Sequence, residues 1–259
     1  MPTFRVSGAD IDVELSDEGG HPVVQLHGLT SSRHRDRLMD LDLGRGLSGT
    51  RLLRYDARGH GHSTGRAVPE DYRWSVLADD LLNLLDHWFP GERVHGVGPS
   101  MGTGTLLHAA VRDPGRFAGL TLLVPATAWR TRAAKADIYR KNARLIEEQG
   151  LAAFLGADLT APRPPATAGT PETVPDVAEH LLPALFRGAA MSDLPAPEAI
   201  AAIDVPITVL AWTADPAHPV STAEALVDLL PKATLEVAHT PADLARWPSI
   251  LCEDVARHG

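Results

Sequence analysis

Eight short apolar runs alternate along this chain with longer segments of helical periodicity, and that alternation limits the fold more than any other feature. Strand–helix–strand units of this kind build a mostly parallel sheet covered by helices on both faces. Residues 3–6 and 11–15 read as opening strands joined by a turn at Ser7-Gly8. Residues 23–26 form a run interrupted only by Gln25, as expected of a buried strand, and residues 52–55, 94–97, 120–124, 207–212 and 234–237 look similar. Between them, Trp74, Leu77, Leu81, Leu84, Leu85 and Trp88 recur at helical spacing and give one apolar stripe. Further helices are expected over 101–111, 222–230 and 242–256.

Residues 126–199 break the rhythm. A long helical pattern (132–154), a Pro/Thr/Ala-rich stretch (161–175) and a second helical segment (177–190) follow one another with no strand between them. An all-helical insertion between two sheet strands is expected to cover one sheet edge as a lid. The composition of 161–175 suits a disordered loop within it. The expected organisation is therefore a core of residues 1–125 and 200–259, with a helical lid of residues 126–199.

The formal net charge of −9 disfavours nucleic acid or an anionic membrane as partner, since both would repel it. One cysteine, Cys252, excludes an internal disulfide and fits a reducing compartment. The first residues show no secretory h-region, and no apolar run reaches the length of a membrane span. A cytoplasmic protein acting on a small molecule, without cofactor or metal, is the expectation.

Chemistry concentrates in G-V-G-P-S-M-G-T-G, residues 96–104. Glycine-rich loops between a strand and a helix serve either phosphate binding or a serine nucleophile. A dinucleotide fingerprint would need glycine at position 101, which is Met101, and no lysine supplies a Walker loop. Gly98-Pro99-Ser100-Met101-Gly102 instead satisfies G-x-S-x-G, where small neighbours let the chain turn sharply and expose the serine above the sheet.

Such a serine needs an imidazole base, and the base needs a carboxylate to orient it. Asp215 follows the run 207–212 and His239 follows 234–237, so both fall at the carboxyl ends of strands, where open sheets bind ligands. Residues 125–136 contain no Asp or Glu that could compete with Asp215. His218 stands three residues past Asp215, which looks too close in sequence to bridge that acid to Ser100, and His239 is the expected base. His60 and His62 lack the companions a metal site needs. The N–H groups of Met101 and of Leu29, in V-V-Q-L-H-G-L-T, are the expected oxyanion donors, and His27 beside them is expected to be structural.

His27-Gly28, R-Y-D-A-R-G-H-G-H-S at 54–63, G-P-S-M-G, Asp215-Pro216 and His239 occur in an order that resembles the α/β-hydrolase fold family nearly end to end. The compact helical lid looks like that of 3-oxoadipate enol-lactonases, small carboxylesterases and cofactor-free haloperoxidase/perhydrolase relatives. The resemblance implies Ser100 as nucleophile, Asp215 as acid, His239 as base, and Asp56, Arg58 and Ser63 as scaffold. The absence of H-G-G-G argues against the lipase/esterase branch that carries it. Serine at 100 disfavours the dehalogenases and epoxide hydrolases. The expected activity is hydrolysis of a small ester or lactone through an acyl-enzyme, with Trp129, Tyr139, Phe154 and Phe186 as candidate pocket walls. Carbon–carbon hydrolysis, perhydrolysis and acyl transfer on the same triad stay open, as does a small-molecule receptor on this fold.

Overall fold

The computed structural model describes residues 2–158 and 163–258. Its eight strands are β1 (Thr3–Val6), β2 (Ala9–Asp17), β3 (Pro22–Gln25), β4 (Arg51–Tyr55), β5 (Val94–Pro99), β6 (Phe117–Leu123), β7 (Ile207–Trp212) and β8 (Ala233–Ala238). They form one sheet in the order β1-β2-β4-β3-β5-β6-β7-β8. The first two pairings, β1 with β2 and β2 with β4, are antiparallel, and the rest are parallel. Every residue of β3, β5, β6 and β7 is buried, as expected of inner parallel strands covered on both faces. Strand β8 alternates instead, because it closes the sheet at one edge.

The helices among the described residues are α1 (Arg33–Leu38), α2 (Trp74–Trp88), α3 (Met101–Arg112), α4 (Arg132–Asp158), α5 (Leu182–Ala190), α6 (Pro197–Ala201), α7 (Val220–Leu229), α8 (Pro241–Leu244) and α9 (Trp247–His258). The expected stripe on α2 is the face it buries: Trp74, Leu77, Leu81, Leu84 and Leu85 are all sealed in the core. That core also holds Leu106 and Leu107 of α3 and Leu226 of α7. A second apolar layer joins Val23, Val97 and Leu210 to Trp247 and Leu251 of α9. The expected helix over 242–256 is in fact two, α8 and α9, separated at Ala245 and Arg246. Among the described residues, no helix is long and apolar enough to cross a membrane.

Between β6 and β7 the described chain forms helices and turns, with no strand. Tyr139, Ile146 and Phe154 of α4 pack on Leu182 and Phe186 of α5 in a cluster of their own. Buried Arg132 locks the base of this layer: its guanidinium donates to the carbonyls of Ser192 and Ala189 and lies over the Trp74 ring, 4.3 Å from its centroid. Helix α4 bends at Gly150, which has φ 80°, and the Leu151 N–H turns to the Glu179 carboxylate.

Of the stretch 161–175 expected to be disordered, residues 161 and 162 lie outside the described residues. The remainder is held by specific bonds: Arg35 Nε donates to Thr173 Oγ1 at 2.8 Å, and Ala166 is buried in the second apolar layer. Just beyond it, Ser32 Oγ donates to Asp176 Oδ2 and the Asp176 N–H to the Thr30 carbonyl. Composition alone did not show these partners, because they come from a loop more than a hundred residues earlier in the chain.

Candidate active site

Ser100 begins at the backbone. It follows the last residue of β5 and precedes α3 with φ 51° and ψ −104°, a strained conformation for a residue bearing a Cβ. Its N–H is anchored to the Leu123 carbonyl of β6 at 2.9 Å. The sharp turn needs close contact with the chain leaving β3: a Cβ added to Gly98 would lie 2.9 Å from the Leu26 Cβ, and one on Gly102 3.1 Å from the His27 carbonyl oxygen. These two glycines let the elbow sit against the next strand while Ser100 projects upward.

Beyond β7 the chain turns tightly. Ala214 takes φ 62°, the Ala217 N–H donates to Asp215 Oδ1 at 2.8 Å, and the His218 N–H donates to the Asp215 carbonyl at 3.1 Å. This turn folds the His218 ring back over the carboxylate of its own loop. His218 Nδ1 lies 2.7 Å from Asp215 Oδ2, and His218 Nε2 lies 2.8 Å from Ser100 Oγ. With Nδ1 protonated toward the carboxylate, Nε2 presents its lone pair to the serine hydroxyl. Burial by itself would push the Asp215 carboxyl up, but the bonds from His218, Trp212 Nε1 and the Ala217 N–H outweigh it. They hold the group well below the usual carboxylate range.

The imidazole on Ser100 is therefore His218, and the expectation of His239 is corrected. His239 is exposed at the end of edge strand β8. Its N–H and that of Thr240 both bind the Asp243 carboxylate, while Thr240 Oγ1 accepts from the Asp243 N–H. This capping box starts α8 at once and commits His239 to a helix entrance. The signal for both outcomes lay in the sequence. D-P-A-H-P has the i, i+3 spacing of a tight turn, and H-T-P-A-D reads as a helix start.

Ser100 and His218 open into a cavity of about 310 Å³. Leu29, Tyr139, Phe154 and Phe186 line it. Trp129, the fourth expected wall, does not: its indole N–H donates to the Pro195 carbonyl and its ring packs on the main core. Thr30, Ser31, Arg35, Asp36, Lys135 and Asn142, which the sequence reading did not assign to the site, add polar groups to the lining.

Beneath the cavity lies a charged scaffold. Asp56 accepts from the Arg33 and His62 N–H groups and from the Arg33 guanidinium, and Arg58 grips Asp80 through two bonds of 2.7 and 2.6 Å. His27 Nε2 accepts from the Ala57 N–H while Nδ1 donates to the Gly28 carbonyl, so the neutral ring is fully used. Burial keeps it neutral by pushing its pKa down. His60 beside it is driven to about 3 for the same reason.

Residues 21–241 match the α/β-hydrolase fold family. The chain is 33% identical over 196 residues to 3-oxoadipate enol-lactonase 2 of Acinetobacter baylyi, covering 72% of this chain and 69% of that protein. Among solved structures, a thermophilic esterase from Thermogutta terrifontis superposes with a TM-score of 0.80 at 20% identity, covering all of both chains. The enol-lactonase of Burkholderia xenovorans LB400 gives 0.77 at 22% identity over 99% of each. This chain belongs to the α/β-hydrolase fold family and is a hydrolase.

Proposed function

We propose that the protein hydrolyses the ester or lactone of a small organic acid through a Ser100–His218–Asp215 triad. The observation that carries this reading is the unbroken chain of bonds from Asp215 Oδ2 through His218 to Ser100 Oγ, with Ser100 and His218 both lining one cavity. His218 removes the Ser100 proton as the oxygen attacks the carbonyl, then returns it to the leaving alcohol. It next activates the water that releases the acid. Asp215 stays ionised and steadies the imidazolium.

The oxyanion is held by the Met101 N–H and the Leu29 N–H. Met101 opens α3, whose first N–H groups have no partner within the helix. Leu29 lines the cavity next to Ser100. The similarity to an enol-lactonase supports a lactone or a compact ester among substrates. No cofactor takes part in these steps.

Two measurements test the proposal together. A fluorophosphonate should label Ser100, and p-nitrophenyl esters of graded chain length, run beside aliphatic lactones, should be hydrolysed. His218→Ala should abolish turnover while His239→Ala retains it. The reverse pattern would return the base to the end of β8, and no labelling alongside tight ligand binding would make the protein a receptor.

A further inference from the structure

Asp36 is a buried carboxyl that the triad chemistry does not use. It lies in the first turn of α1, is 1% exposed, and lines the same cavity as Ser100 and His218. Ser31 Oγ is 2.5 Å from Asp36 Oδ1, whereas Oδ2 is buried with no hydrogen-bond partner. A buried polar atom left unpaired is costly, so such an atom on a side chain that lines a cavity points to a position that a ligand completes. We propose that Asp36 is a specificity-determining residue, whose Oδ2 hydrogen-bonds an oxygen carried on the acyl portion of the substrate. The inference rests on the reading of this cavity as the hydrolytic site.

The class of partner follows from proton bookkeeping. Burial pushes this carboxyl up to about 7, with the bond from Ser31 and the charge of Arg35 opposing the rise and the charges of Asp42 and Asp56 adding to it. The carboxyl therefore holds one proton at slightly acidic pH. Ser31 donates to Oδ1, which places that proton on Oδ2, a donor with no acceptor in the protein. The matching group is a carbonyl, ether or hydroxyl oxygen, and the substrate is an oxygenated acyl chain rather than a plain alkyl one. Ionisation removes the donor and turns the same position against such oxygens.

The test measures binding rather than turnover, so failure of the hydrolase reading would not disturb it. Titration calorimetry compares 4-oxopentanamide with pentanamide and 5-oxohexanamide with hexanamide, which place a ketone oxygen at two depths. Wild type should bind at least one oxo amide about fivefold more tightly than its plain counterpart at pH 6, the worth of one net hydrogen bond. The preference should fade as pH rises past about 7. Asp36→Leu should lose it at every pH, and Asp36→Asn, whose amide still donates, should keep it without the pH dependence. Ser31→Ala, which removes a bond that favours the charged form, should move the midpoint to higher pH. Equal affinity within both pairs in wild type, or a preference that survives in Asp36→Leu, overturns the assignment. If Asp36→Leu fails to fold, an Asp36→Asn preference with the wild-type pH dependence overturns it equally.

Discussion

Ser100 is strained before any substrate arrives: its φ of 51° and ψ of −104° are held by the Leu123 carbonyl on one side and α3 on the other. That strain positions the hydroxyl within 2.8 Å of His218 Nε2, and in the proposed mechanism His218 and Asp215 activate it. Ser100→Ala should therefore lower kcat by a factor on the order of 10⁶, the loss seen when a comparable triad was dissected. Asp215→Asn should cost about 10⁴ by favouring the wrong tautomer of His218, measured as initial rates with a p-nitrophenyl ester. Wild-type rates in either variant would remove that residue from the mechanism. The turn that carries Ser100 and the loop that carries Asp215 were legible from G-x-S-x-G and from a carboxylate after an inner strand. The histidine that meets Ser100 was misread: the D-P-A-H-P turn was visible in the sequence, but how it folds back onto Ser100 was not.

At the scale of elements, β5 and α3 can form the elbow only if β3 comes close. A methyl on Gly98 would press on Leu26 at 2.9 Å, so Gly98→Ala should cost about 1–3 kcal/mol in chemical denaturation and displace Ser100. Its kcat should fall more than a stability loss of that size explains. The motif D-A-R-G-H-G-H-S is likewise a scaffold that joins strands to helices. Arg58 and Asp80 are both buried and fork-bonded, so Arg58→Ala leaves a carboxylate stranded and should cost about 3–5 kcal/mol. Strand and helix positions were readable because apolar periodicity follows burial. The break between α8 and α9 was missed because apolar spacing continues across it.

For the whole molecule, buried carboxyls pull stability in opposite directions as pH changes. Asp215 and Asp56 are held below their ordinary values, so their contribution is present above about pH 4, the unfolded value, and is lost as pH falls further. Asp36 behaves inversely. Its folded value near 7 exceeds the unfolded value of about 3.9, so between those pH values the folded state holds a proton that the unfolded state has released. Its contribution is therefore complete below about pH 4 and is lost as pH rises to about 7. Asp36→Asn, which cannot titrate, should gain on the order of 2–3 kcal/mol relative to wild type between pH 5 and pH 8. Urea unfolding at the two pH values checks this, and a constant difference would show that Asp36 titrates normally.

The sequence by itself determined the class of sheet, the helical segment between β6 and β7, the glycine-flanked turn at Ser100 and the carboxylate loop at Asp215, because each is encoded by residues close together in the chain. Only the tertiary structure decided which histidine meets Ser100, which aromatic side chains face the cavity, and that Asp36 stands beside them. The cavity walls depend on contacts between segments far apart in sequence, and the choice of histidine on where two locally hydrogen-bonded loops come to lie relative to Ser100. One tight turn swings His218 over Asp215, while a capping box holds His239 at the start of α8. Both histidines follow strands at the same end of the sheet, and local hydrogen bonding in the two loops separates them.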